Sequence, residues 1–248
     1  MTQNTPGRDI EQRITDATTL IEDFSGFRDI EKYSDSEKRL RFLKSVSPEN
    51  FFKLAQHINA RMRGFEPNEG RNLDDEGADL RMLGTPAPSE KRDAFYAGAE
   101  AIHEYLNFSE DKIEDKLRSA GMATEALIIW VHPFNDGNGR TSRFIGKFIE
   151  DGTADIQALI DEAADGKNRM RLYDERFRID QWNVLKDKDI LWGEGEAEEL
   201  EQTTSMPVSV GIAKSIERIL NNKFIQDKII AESAHRKARS LAVRALVA

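Results

Sequence analysis

Within twelve residues, 132–143, this chain gathers His132, Asp136, Gly137, Asn138, Gly139, Arg140 and Arg143. That set suits a substrate carrying phosphates. Gly137 and Gly139 tolerate left-handed or bridging backbone angles, as does Asn138 between them, so successive amides can turn inward as an anion-binding nest. At the start of a helix such a nest gains N–H groups and a dipole that already favour phosphate. Arg140 and Arg143, three apart, project from one helical face and can clamp further phosphate oxygens. Asp136 is a hard oxygen ligand, which suits Mg²⁺ bridging phosphates rather than a transition metal. His132 can accept a proton near neutral pH. Each part alone has an ordinary structural use; the conjunction points to chemistry.

The elements that must position these residues read as helices. Residues 111–131 predict a helix, with a break at Gly121, whose last turns (ALIIWV) are apolar all round and therefore belong in the centre of a fold. The stretch after Gly139 is helical again, turning Phe144, Ile145, Phe148 and Ile149 inward until Asp151-Gly152. Phe134 plugs the core and pins the loop between. Upstream, Ser47-Pro48 supplies an N-cap and a first-turn proline; Phe51, Leu54, Ile58 and Met62 then share one face, and Gly64 closes the helix. Ser89 opens another, through Phe95, Ala99, Ile102 and Leu106. Residues 65–88, rich in Gly and Pro, break the pattern as a long exposed loop or short hairpin. Residues 193–204 are acidic and read as a linker or polar helix, and residues 206–248 as two more helices.

Composition narrows the function. The 248 residues are 39% hydrophobic and 33% charged, enough for a core without staples, and the chain has no Cys. Disulfides, thiolate metal sites and a cysteine nucleophile are excluded. The four His are scattered, with no HExxH pair. The longest apolar run is six residues, and the polar amino terminus lacks a signal-peptide core, so a soluble protein is expected, cytoplasmic or delivered to a host cytosol. A net charge of −9 disfavours a nucleic-acid binder whose whole surface grips phosphate, and the short apolar runs leave nothing to span a membrane. The charge is uneven: residues 214–248 hold eight Lys or Arg against three acids, leaving −14 on the rest.

Residues 132–143 resemble the Fic family, whose motif HPFx[D/E]GNGRxxR they match at every fixed position. From average residue usage such a coincidence has odds on the order of 10⁻¹² at a given start. The resemblance implies an all-α Fic-type fold with a small β-hairpin flap before the motif. It implies a Fic domain over 35–192, which leaves an N-terminal segment 1–34 and, from the charge pattern, an acidic linker with a basic helical extension over 193–248. It further implies a protein adenylyltransferase that moves AMP from ATP, with Mg²⁺ or Mn²⁺, onto a Ser, Thr or Tyr hydroxyl of a target protein, releasing pyrophosphate. On that resemblance His132 is the base and Asp136 the metal ligand. Gly137, Asn138 and Gly139 form the nest, and Arg140 and Arg143 the phosphate clamps, Arg143 towards the γ-phosphate. The glycines and arginines differ from the Doc-type pattern and favour nucleotidyl over phosphoryl transfer. The motif does not fix the base, and relatives that transfer other nucleotides or phosphocholine share much of it. Removal of AMP, and a nucleotide-sensing DNA-binding or protein-interaction module using the basic C-terminal helices, are the rival readings.

Two further segments follow from the resemblance. Residues 77–86, with Arg81, Met82 and Leu83 at their centre, correspond to the target-docking flap, which would add the target segment as a strand. Many relatives are held off by a helix carrying [S/T]xxxE[G/N], and residues 45–50 fit that string. The string straddles an expected helix start, so Glu49 is read instead as complementing the N-terminus of that helix. Inhibition, if any, would then come from a separate antitoxin-like chain.

Overall fold

The computed structural model describes residues 34–62, 86–135, 137–152, 207–227 and 230–231. These form helices α1 (Ser36–Ser45), α2 (Pro48–Met62), α3 (Lys91–Phe108), α4 (Ile113–Val131), α5 (Asn138–Asp151) and α6 (Val208–Asn221), with a 3-10 turn at Pro88–Glu90 leading into α3. Among the described residues there is no strand, and the fold is all-α. The expected flap, with Arg81, Met82 and Leu83, lies outside the described residues, as do Gly64 and the acidic stretch 193–204.

Two of the helices start on a side-chain cap. Asp35 accepts the Lys38 N–H at 2.8 Å ahead of α1, and the Ser47 hydroxyl accepts the Asn50 N–H at 3.3 Å ahead of α2. Helix α1 has no counterpart in the periodicity analysis, because only Arg39, Leu40 and Leu43 of its ten residues are buried. Gly121 does not break α4, which runs unbroken to Val131 with every residue from 119 onward buried. The glycine serves packing instead. A Cβ at Gly121 would lie 2.7 Å from the Gly146 carbonyl of α5, and one at Gly146 would collide with the Glu125 side chain of α4. The two helices therefore cross backbone to backbone.

Helix α4 is the axis of the core. It packs against α3, α5 and α6, while α2 closes over α3 and α5. Phe52 meets Phe95 edge-on at 5.2 Å between ring centroids, joining α2 to α3. Helix α6, from the basic C-terminal region, buries Ile212, Ile216, Ile219 and Leu220 in the same core. No helix among the described residues is long and apolar enough to cross a membrane.

Helix α5 is held at its far end by two devices. Gly152, at φ 70°, caps it in a left-handed turn, returning its N–H to the Phe148 carbonyl at 2.9 Å. The buried Arg39 guanidinium donates to the Ile149 and Glu150 carbonyls at 3.0 and 3.2 Å, and to the Ser34 carbonyl at 3.1 Å. A cation at a helix C-terminus satisfies orphan carbonyls and offsets the dipole. The far end of α5 is thereby tied to α1.

Candidate functional site

The candidate site is the junction between α4 and α5. His132 ends α4 in the left-handed region, at φ 48° and ψ 57°, the one non-glycine residue with positive φ among the described residues. Pro133 disfavours a continuing right-handed helix at the residue before it, and the left-handed turn supplies the exit. Such a conformation costs on the order of 1–3 kcal/mol and persists where surroundings hold it. Two contacts do so. The His132 N–H bonds the Ile128 carbonyl at 3.1 Å, and the His132 carbonyl accepts the Lys91 ammonium at 2.7 Å.

The loop beyond is closed by one side chain. Asn138 Oδ1 accepts the Phe134 N–H at 3.0 Å while its Nδ2 donates to the Phe134 carbonyl at 2.6 Å, and both residues are buried. The Phe134 ring sits in the core, as its apolar character required. The Asn138 side chain thus clasps the loop, a use that a backbone nest had not anticipated. Gly137 is left-handed, at φ 80°, and its carbonyl accepts the Thr141 N–H at 2.9 Å as the first bond of α5. The N–H groups of the first turn point out of the helix start, as in any helix.

Gly139 departs from expectation: it is helical, and only Gly137 and Gly152 among the described glycines have positive φ. Its lack of a side chain has another reason. A Cβ there would stand 3.3 Å from Arg143 Nη1, so the guanidinium lies back over the first turn of α5. Helical side chains lean towards the N-terminus, and that lean brings Arg143 back over the start of α5. Arg140 is half-exposed on the same turn. Asp136 lies outside the described residues, and among the described residues no group of three or more His, Asp or Glu could hold a metal ion.

Two residues that position the loop were missed in the sequence. Asn59 of α2 donates to the Thr141 hydroxyl of α5 at 3.2 Å, both side chains being buried. A polar residue beside Ile58 on the apolar stripe was the available signal. Lys91 gave none, since a lysine in the first turn of a helix, within the charged run Glu90-Lys91-Arg92-Asp93, reads as solvent-facing. Trp130 is a core residue, as read; His57 is buried on α2, and Trp182 and Trp192 lie outside the described residues.

The family model described as the Fic/DOC family matches residues 17–149. No curated protein and no solved structure matches the chain.

Proposed function

The chain belongs to the Fic/DOC family, and from that premise we propose that it is a protein adenylyltransferase, moving AMP from ATP to a hydroxyl side chain of a target protein. The observation that supports this most is the folding-back of Arg143 over Gly139 beside the clasped loop that His132 opens. Base and cation thereby flank one helix N-terminus. A target hydroxyl placed there would attack the α-phosphorus in line, forming a P–O bond as the bond to the bridging oxygen of pyrophosphate breaks. His132 would take the hydroxyl proton, and pyrophosphate would leave towards Arg143. Such a reaction asks for positioning and charge neutralisation more than covalent help.

Gly137, Asn138 and Gly139 would present backbone N–H groups to the inner phosphates, with Arg140 and Arg143 adding charge-assisted bonds. Asp136 would hold the Mg²⁺ or Mn²⁺, since Mg²⁺ takes one or two carboxylates and completes its shell with phosphates and water. When bound, the metal supplies charge neutralisation on those phosphates. The segment with Arg81, Met82 and Leu83 would dock the target strand.

The test is incubation with ATP labelled at the α- or the γ-phosphate, and with the other nucleoside triphosphates, in the presence of lysate. We expect label on protein from α-labelled ATP only, and a fall of at least ~100-fold in His132→Ala, the usual scale of a positioned base. Label arriving from the γ-position would replace nucleotidyl with phosphoryl transfer. Preference for another nucleotide would correct the donor.

A further inference from the structure

We propose that Lys91 is a positioning residue for His132, setting the angle between the imidazole and the phosphate loop; the inference rests on the transferase reading above. Lys91 is 0% exposed, and its ammonium reaches the His132 carbonyl at 2.7 Å. A buried ammonium is costly unless it is well bonded, and a short charge-assisted bond to a carbonyl is the kind that keeps it. The acceptor is the carbonyl of the residue that caps α4, and a cation at that end also offsets the helix dipole.

The acceptor's place in the chain gives the bond its consequence. The direction of the His132 carbonyl is set by ψ of His132, here 57° in the left-handed region. That same dihedral relates the His132 side chain, carried by α4, to everything that follows it: Pro133, the clasped Phe134 and the Gly137 turn. Fixing the carbonyl fixes the base relative to the nest. Removing the donor frees the His132–Pro133 peptide plane to rotate, while the Asn138–Phe134 clasp still shapes the nest itself. The loss should therefore fall on turnover rather than on nucleotide affinity.

Lys91→Met keeps the stem and removes the donor; Lys91→Gln keeps a shorter, uncharged donor. For Lys91→Met we expect kcat of transfer to drop by about 10–100-fold, because misplacement by ~1 Å costs on that order. Nucleotide Kd should change by less than about threefold, a split that general loosening of the fold would not give. Lys91→Gln should recover part of the lost rate. Independently of any reaction, hydrogen exchange of the segment spanning 131–138 should be faster in Lys91→Met than in the unaltered protein. A folded Lys91→Met with unchanged kcat and unchanged exchange overturns the proposal. So does a fall in kcat and affinity together, or failure of both variants to fold, which would make Lys91 a folding determinant only. If the unaltered protein transfers no nucleotide at all, the transferase reading fails, and the exchange measurement alone decides whether Lys91 holds the loop.

Discussion

Asn138 grips Phe134 on both sides of its peptide, accepting its N–H at 3.0 Å and donating to its carbonyl at 2.6 Å. One amide side chain thus replaces the two backbone bonds that neither helix can offer the loop between them. In a water-poor interior those groups would otherwise stand unsatisfied.

Asn138→Ala should accordingly cost about 2–4 kcal/mol of folding stability, since it strands a buried donor and a buried acceptor at once. Asn138→Asp keeps the acceptor and loses the donor, and should lie between. Urea unfolding of the three proteins measures the series, and nucleotide titration should show weaker binding in the same order. Equal stability of Asn138→Ala and the unaltered protein would mean the clasp contributes nothing.

The crossing of α4 and α5 predicts a second effect. At Gly121 an added methyl meets the Gly146 backbone oxygen at 2.7 Å, which cannot swing aside as a side chain could. Gly121→Ala should destabilise by about 1–3 kcal/mol, the usual range for overpacking. By pushing α5 from α4 it should also lower transfer. Unchanged urea midpoints in Gly121→Ala would show that the helices can part without cost.

The difference between what was legible and what was not follows from range. Caps and punctuation are local, so Ser47, Pro48 and Gly152 announced their helix ends; the apolar run ending α4 announced its burial. The motif marked the candidate site because its residues are contiguous in sequence. What stayed hidden depends on partners far along the chain. Lys91 meets His132 across 41 positions, Asn59 meets Thr141 across 82, and Arg39 meets Ile149 across 110. Gly121 was misread for the same reason: propensity marks it as a helix breaker, and only the approach of Gly146 explains it. Gly139 was read as a conformationally free position of the nest, whereas it is helical and leaves room for Arg143.

His57 supplies a pH prediction. It is buried on α2, and its pKa is pushed down from 6.5 to about 4, first by burial and then by the Lys53 charge. Between those values the unfolded chain binds a proton that the folded chain refuses. Its contribution is therefore whole above pH 6.5 and is lost as pH falls towards 4, by at most about 3 kcal/mol. His57→Leu, which fills the site without titrating, should show a flatter fall of unfolding free energy across that window. Urea midpoints measured at intervals between the two limits decide it, and parallel curves would clear His57 of any part in acid sensitivity.

Whether the enzyme restrains itself turns on Ser45 and Glu49. An inhibitory [S/T]xxxE pair needs both residues on one helix, but Ser45 ends α1 and Glu49 stands in the first turn of α2, with the extended Val46 between. The Ser45 hydroxyl is bonded to the Phe42 carbonyl at 2.6 Å. The exposed Glu49 carboxyl is held below its ordinary pKa by its own backbone N–H and then by the Ser47 hydroxyl, so its charge is committed to the start of α2. Glu49→Gly should leave the rate of auto-modification within about twofold, because no restraint on catalysis is removed. Stability should fall by no more than about 1 kcal/mol from the lost charge at the helix start. Labelling time courses on the unaltered protein, Glu49→Gly and Glu49→Gly/Arg143→Ala test this directly. A large gain in the single variant that disappears in the double one would show Glu49 competing for the Arg143 guanidinium, and would return the 45–50 segment to an inhibitory role.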